Sequence, residues 1–182
     1  GFEFEIGPRT FFQTNTVQAE RLYGLIETLA SGVAPRRALD LYAGVGTIAA
    51  FLSRAADEVV AVEAVEASVR AGAENLRRNG IGGARMLRGD AGRIAAEALG
   101  GRFDLVVVDP PRAGLEAGAH ELLGWLGAPH LLYVSCNPAT LARDLGPLLA
   151  AGHRIARIQP LDMFPHSFHV ETLVHLERTG GR

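Results

Sequence analysis

The strongest constraint on the fold is a set of short apolar runs that leave no face for water. EVVAV (Glu58–Val62), FDLVVV (Phe103–Val108) and HLLYVS (His130–Ser135) carry hydrophobic side chains at odd and even positions alike. A strand with one wet face would alternate apolar and polar residues instead. ALDLY (Ala38–Tyr42) and ARMLR (Ala84–Arg88) are two further strand-like runs, and helical patterns lie between them. Thr16–Ala30 places Leu22, Leu25, Ile26 and Leu29 on one face, and Val65–Asn79 is followed by Gly80, the residue type that commonly terminates a helix. Alternation of this kind predicts a doubly wound α/β domain, with a mostly parallel sheet covered by helices on both sides. After a last helical pattern near Pro138–Ala151, the runs Arg154–Leu161 and Val170–Glu177 are separated by only eight residues. That is too short for a helical crossover, so the sheet is expected to end in an antiparallel hairpin.

The 182 residues show no internal repeat or linker tract, and 48% of them are hydrophobic, enough to bury the core of a single domain. One cysteine cannot form an internal disulfide, and GFEFEIGPRT at the start has no secretory-signal pattern, so a cytoplasmic setting is expected. No apolar stretch approaches the roughly 20 residues of a membrane span. The 18 basic residues are all arginine and face 20 acids, a net charge of -2 that excludes a polycationic nucleic-acid binder. The adjacent pairs Arg36-Arg37 and Arg77-Arg78 read as solvated surface. No set of metal ligands stands out.

In an open α/β sheet, ligands bind beyond the carboxyl ends of the strands. Here those ends are Ala43-Gly44-Val45-Gly46-Thr47, Glu63, Gly89-Asp90, Asp109-Pro110-Pro111-Arg112 and Cys136-Asn137-Pro138. The first hairpin strand runs with the others, so the second begins at the same edge and brings His169, Val170 and Glu171 there. Gly44 to Ala49 matches GxGxxA between a strand and a helix, where glycines let a ligand approach the backbone, and Glu63 could hold a ribose diol. The turn suits a nicotinamide enzyme and an S-adenosylmethionine (SAM) methyltransferase equally, and a plain tight turn is a third reading. Asp90 could end its strand or cap the helix after it. Asp109 and its two prolines fix a carboxylate and backbone carbonyls where a planar base could be read. Cys136 precedes Asn137-Pro138, with Pro138 placed as the first residue of a helix, and a sulfur near a helix N-terminus is expected to favour thiolate. Glu171 is the candidate base on the same edge. His166 and His169 read as surface or packing residues.

Five motifs occur in order along the chain: FFQTN (Phe11–Asn15), DLYAGVGT (Asp40–Thr47), Asp109-Pro110-Pro111-Arg112, SCNPAT (Ser135–Thr140) followed by LARDL, and DMFPHSFHVE (Asp162–Glu171). Together they resemble the RNA 5-methyluridine methyltransferases, which make ribothymidine in tRNA and ribosomal RNA. The resemblance implies Cys136 as nucleophile and Glu171 as general base. It also implies that Gln13, Tyr42, Thr47, Glu63, Asp90 and Asp109, together with the turn glycines Gly44 and Gly46, line a site for the cofactor S-adenosyl-L-methionine and a uridine of tRNA or rRNA. Ala43 stands where the family usually has cysteine. Related proteins commonly carry an N-terminal RNA-binding barrel and an inserted central domain, so residues 1–182 are expected to be the catalytic domain alone. Some members also hold an iron-sulfur cluster on four cysteines; this chain has one. The competing readings are methyl transfer to cytosine in RNA or to a small molecule, a nicotinamide dehydrogenase, and a non-catalytic RNA-binding module.

Overall fold

A computed structural model of the chain describes residues 1–7, 13–167 and 169–179. Phe11 and Phe12 of the first motif and Phe168 of the last lie outside the described residues. Among the described residues the strands are β1 (Arg37–Leu41), β2 (Glu58–Glu63), β3 (Ala84–Arg88), β4 (Leu105–Val108), β5 (His130–Ser135), β6 (His153–Leu161) and β7 (Glu171–Arg178). The helices are α1 (Thr16–Val33), α2 (Thr47–Leu52), α3 (Glu66–Arg78), α4 (Ala117–Leu126) and α5 (Pro138–Ala150). No helix among them is long and apolar enough to cross a membrane.

The strands form one sheet in the order β3-β2-β1-β4-β5-β7-β6, with β1 to β5 mutually parallel. All four residues of β4 are buried, as a strand covered on both faces requires. Leu39, Val60, Val106, Leu131 and Val174 pack under Leu122 and Leu123 of α4 and Leu141 and Leu148 of α5. On the other face Ala38, Val59, Leu105, Leu132 and Leu173 meet Ala19, Leu22 and Ile26 of α1 and Ile48 and Leu52 of α2. The doubly wound, mostly parallel sheet with a terminal hairpin is therefore as the periodicity predicts.

The hairpin holds an arrangement the sequence pattern did not specify: β7, its second strand, inserts between β5 and β6 and is antiparallel to both. Burial explains the order. The first six residues of β7 are all buried, whereas Arg154–Ile158 of β6 are all exposed. The apolar strand takes the interior slot, and the strand with two arginines and Pro160 takes the edge, where charges and proline blunt pairing.

Two readings need correction. Phe103 precedes β4 rather than beginning it, yet it is 2% exposed within the hydrophobic core, and the Arg37 guanidinium lies 4.6 Å from its ring centroid. Arg37 itself is not solvated surface: it bonds Glu58 at 2.7 Å and the carbonyls of Leu99, Gly100 and Arg102. It ties β1, β2 and the approach to β4 together at the sheet edge opposite the candidate site.

Candidate active site

The strand order reverses between β1 and β4, the switch point where open α/β sheets bind ligands. The chain leaves β1 through Tyr42, whose φ of 65° is unusual for a residue with a side chain, and turns at Gly44 and Gly46 with φ of 53° and 79°. A Cβ on Gly46 would meet the Met86 sulfur at 3.3 Å, while one on Gly44 would meet nothing within 4 Å. Gly46 therefore serves packing as well as the turn, and Gly44 leaves the backbone open to a ligand. Glu63 ends β2, and its carboxylate accepts from the amides of Gly44 (3.0 Å) and Val65 (2.7 Å). These bonds fix both oxygens and leave each with a further lone pair. Asp90 caps no helix: Oδ1 accepts from the Gly92 amide at 2.9 Å and closes a local turn.

Three cavities follow along this edge. Gln13, Tyr42, Gly44, Thr47 and Asp109 line the first, together with Tyr23. Tyr42 is shared with the second, which Glu63, Asp90 and Glu116 complete; the Tyr42 hydroxyl donates to Glu116 at 2.9 Å. The third, of about 280 Å³, is lined by Arg112, Cys136, Asn137, Pro138 and His169. The Gln13 side-chain oxygen is buried without a hydrogen-bond partner. Such an acceptor at a cavity wall matches a ligand donor such as an α-amino group.

Cys136 follows β5 and is half-buried. Asn137 caps α5 by accepting from the Ala139 amide at 3.1 Å, and Ser135 Oγ accepts from the Asn137 amide at the same distance. In the SCNP motif these two residues shape the turn that presents the sulfur. In the β5–β7 ladder Ser135 pairs with Thr172. One further step of that register sets Cys136 opposite Glu171, the first residue of β7. Opposite residues of an antiparallel pair share a face.

The electrostatics reverse the expectation of a favoured thiolate. Burial and the charge of Glu171 push the Cys136 thiol up, Arg112 pulls it down, and Asp109 adds a further upward push. Glu171 is 2% exposed, and burial raises its pKa from 4.5 to about 7. Asp109 rises from 3.8 to about 8 through burial and then the charge of Glu171. Beneath them Asp40, fully buried, is pushed well above the carboxylate range by burial and then by Asp109, against the opposing pull of the Ala49 amide. Near neutral pH, then, Asp109 and Glu171 hold protons for much of the time beside a protonated thiol.

Behind the third cavity, Asp144 of the LARDL segment is 1% exposed and accepts from the Tyr133 hydroxyl (2.6 Å) and the Leu115 amide (2.8 Å). Arg143 donates to the Ala113 carbonyl at 2.8 Å. The pair clamps the loop that carries Asp109 to Arg112 onto α5. Tyr23, Glu116 and His169 are cavity residues that the sequence reading left out. Tyr23 is hidden on the apolar face of α1, Glu116 lies in no motif, and His169 reads as a surface or packing residue although it sits two residues from Glu171.

A glycine turn at the switch point, followed by a carboxylate at the next strand end, defines a Rossmann-like domain. The N-methyltransferase NodS of Bradyrhizobium japonicum, solved with S-adenosyl-l-homocysteine, superposes with a TM-score of 0.72 over 90% of this chain and 88% of that one, at 14% identity. The family model for tRNA (uracil-5-)-methyltransferases matches residues 2–179, and the chain belongs to that family. An uncharacterised RNA methyltransferase of Gloeobacter violaceus is 44% identical over 179 residues, which cover 98% of this chain and 38% of the relative. One from Geobacter sulfurreducens is 42% identical over 178 residues, covering 97% and 36%. The tRNA (uracil-54, C5)-methyltransferase of Pyrococcus abyssi, solved with S-adenosyl-L-homocysteine, has a TM-score of 0.84 at 35% identity, over 95% of this chain and 41% of that one. The chain thus spans less than half the length of these relatives. Family membership removes the nicotinamide reading of the glycine turn.

Proposed function

We propose that this chain is the catalytic domain of an enzyme that transfers a methyl group from SAM to carbon 5 of a uridine in tRNA or rRNA, through a covalent bond between Cys136 and carbon 6. The observation that carries the reading is the antiparallel Ser135–Thr172 pair, one register step before Cys136 and Glu171, beside the cavity that Cys136 lines. The residues present fit the cofactor: Gln13 and Asp109 would hold its amino-acid end, Gly44 and Thr47 its middle, and Glu63 and Asp90 its nucleoside. Bound there, SAM supplies an electrophilic methyl group.

Carbon 5 of uracil is a weak nucleophile, and addition of the Cys136 sulfur to carbon 6 moves the ring electrons into an enolate that makes it a strong one. The thiol gives up its proton to solvent before it adds, and Arg112 offsets the negative charge that the sulfur then carries. Once carbon 5 carries the methyl group, Glu171 takes the proton from that carbon, the double bond re-forms and the sulfur leaves. A carboxylate with a pKa of about 7 suits this task, since it is a stronger base than an exposed glutamate and still ionises near neutral pH. Asp109, protonated at neutral pH, is able to donate a hydrogen bond to a carbonyl of the base. The ring must be out of its stack to be reached from both faces.

The test is nucleoside mass spectrometry of unmodified tRNA and large ribosomal RNA after incubation with SAM and the protein. We expect 5-methyluridine in one pool, none with Cys136→Ala, and a covalent protein–RNA adduct that persists on a denaturing gel with Glu171→Gln. Formation of 5-methylcytidine alone would overturn the uridine assignment, and 5-methyluridine made at full rate by Cys136→Ala would overturn the covalent mechanism.

A further inference from the structure

The two strands that carry Cys136 and Glu171 also meet at their other end. The register that pairs Ser135 with Thr172 pairs Leu132 with His175 and His130 with Glu177. Side chains alternate along a strand, so His175 and Glu177 share a face of β7, and His130 lies on that face of β5. The His130 Nδ1 atom is 3.1 Å from His175 Nε2, with the rings tilted by 32° and their centroids 5.4 Å apart. One ring nitrogen of each histidine and one carboxylate oxygen of Glu177 lie within 4.8 Å of one another. We propose that His130, His175 and Glu177 form a divalent metal site that fits zinc, and that a metal there pins the β5–β7 register.

The geometry suits the ion. Two imidazole nitrogens bound to one zinc at about 2.0–2.1 Å in a tetrahedron are about 3.3–3.4 Å apart. The observed nitrogen pair needs to open by only a few tenths of an ångström, and Glu177 to close in by a side-chain rotation. Two imidazoles with one carboxylate are borderline ligands that suit zinc, whereas calcium and magnesium take mainly oxygen ligands. Water would complete the fourth position. Arg154, opposite Glu177 in the β6–β7 register, already binds one of its carboxylate oxygens. A ligating carboxylate is commonly held by such an outer partner, which leaves the second oxygen for the metal. The other arginine nearby, Arg157, sits opposite His175 and donates to Gln159 at 3.0 Å, so part of its charge is drawn along the β6 edge.

The site lies at the sheet edge opposite Cys136, and its consequence is mechanical. A one-residue slip of β7 against β5 would turn every side chain of β7 to the wrong face and move Glu171 away from Cys136. A metal shared by both strands forbids that slip.

The test is titration of the metal-free protein with Zn²⁺ and Co²⁺ in a Cys136→Ala background, which removes the lone thiol as a competing ligand. We expect one equivalent bound per chain, the intense visible absorption of low-coordinate Co²⁺, and a rise in Tm with Zn²⁺. His130→Gln and His175→Gln should each weaken binding at least about tenfold and abolish the rise in Tm, and Glu177→Gln should weaken it less. If His175→Gln does not fold, the more exposed His130 and Glu177 positions carry the test. No saturable binding at micromolar metal, or binding of unchanged strength in the His130 and Glu177 variants, would overturn the proposal and leave the two histidines as a simple hydrogen-bonded pair.

Discussion

Replacing Glu171 with Gln should make the protein more stable at pH 8 while it destroys turnover. The folded-state pKa of about 7 lies above the ordinary 4.5 because burial disfavours the charged carboxylate. A raised pKa means that the folded state holds the proton more tightly than the unfolded chain. The stability this contributes is fully present below about 4.5 and is lost as the pH rises through about 7. The difference between 4.5 and about 7, at 1.36 kcal/mol per pH unit, is about 3 kcal/mol. Glutamine has no proton to lose, so the stability of Glu171→Gln relative to wild type should rise by about 3 kcal/mol between pH 4.5 and pH 8. Asp109 works in the same direction, because its own raised pKa owes part of its shift to the Glu171 charge. The assay is urea denaturation of both proteins across that range, reading the change in the difference so that lost or gained contacts of the glutamine cancel. A difference that stays constant with pH would refute the buried-carboxylate argument, and with it the account of Glu171 as a base tuned by burial.

The rate of release of free 5-methyluridine, which includes proton removal from carbon 5, should climb with pH through about 7, where Glu171 ionises, and the single-turnover rate of adduct formation should go on rising past pH 9, because burial and Glu171 hold the Cys136 thiol above its ordinary 9.0. Either rate, if insensitive to pH, would contradict the assignment it reports on. Asp144→Ala should cost about 2–5 kcal/mol, since it leaves the buried Tyr133 hydroxyl and Leu115 amide without an acceptor. Thermal denaturation would measure the loss, and a change below about 1 kcal/mol would show that the loop holds without this clamp.

Four of the five parallel strands, β1, β2, β4 and β5, are legible because burial on both faces writes apolar residues at consecutive positions, whereas β3, an edge strand with no buried residue, shows only as a short run; the hairpin is legible because eight residues cannot cross a sheet. The insertion of β7 beside β5 was not read, since connection length fixes direction and not which strand lies inside. The contrast between ETLVHL and RIARI carried that information. The Cys136 expectation failed for a related reason. A helix N-terminus is visible in Asn137-Pro138, but what opposes it is first burial and then the charges of Glu171 and Asp109, 35 and 27 positions away in the chain. Tyr23 shows the same limit: on an amphipathic helix a cavity residue and a core residue have the same spacing.

The reversed strand is what makes the candidate site possible. A parallel strand delivers its last residue to the carboxyl edge of the sheet, after a helical crossover. An antiparallel strand delivers its first residue there, directly after a loop from the neighbouring edge strand. Inserting β7 next to β5 therefore puts Glu171 one register step past the Ser135–Thr172 pair, against the residue that leaves β5. The same insertion buries Glu171 between neighbours on both sides, and that burial raises its pKa to about 7. Position and basicity thus have a common cause in the strand order. A change that exposed Glu171 without moving it should return its pKa toward 4.5 and slow proton removal, while thiol addition to the ring would remain.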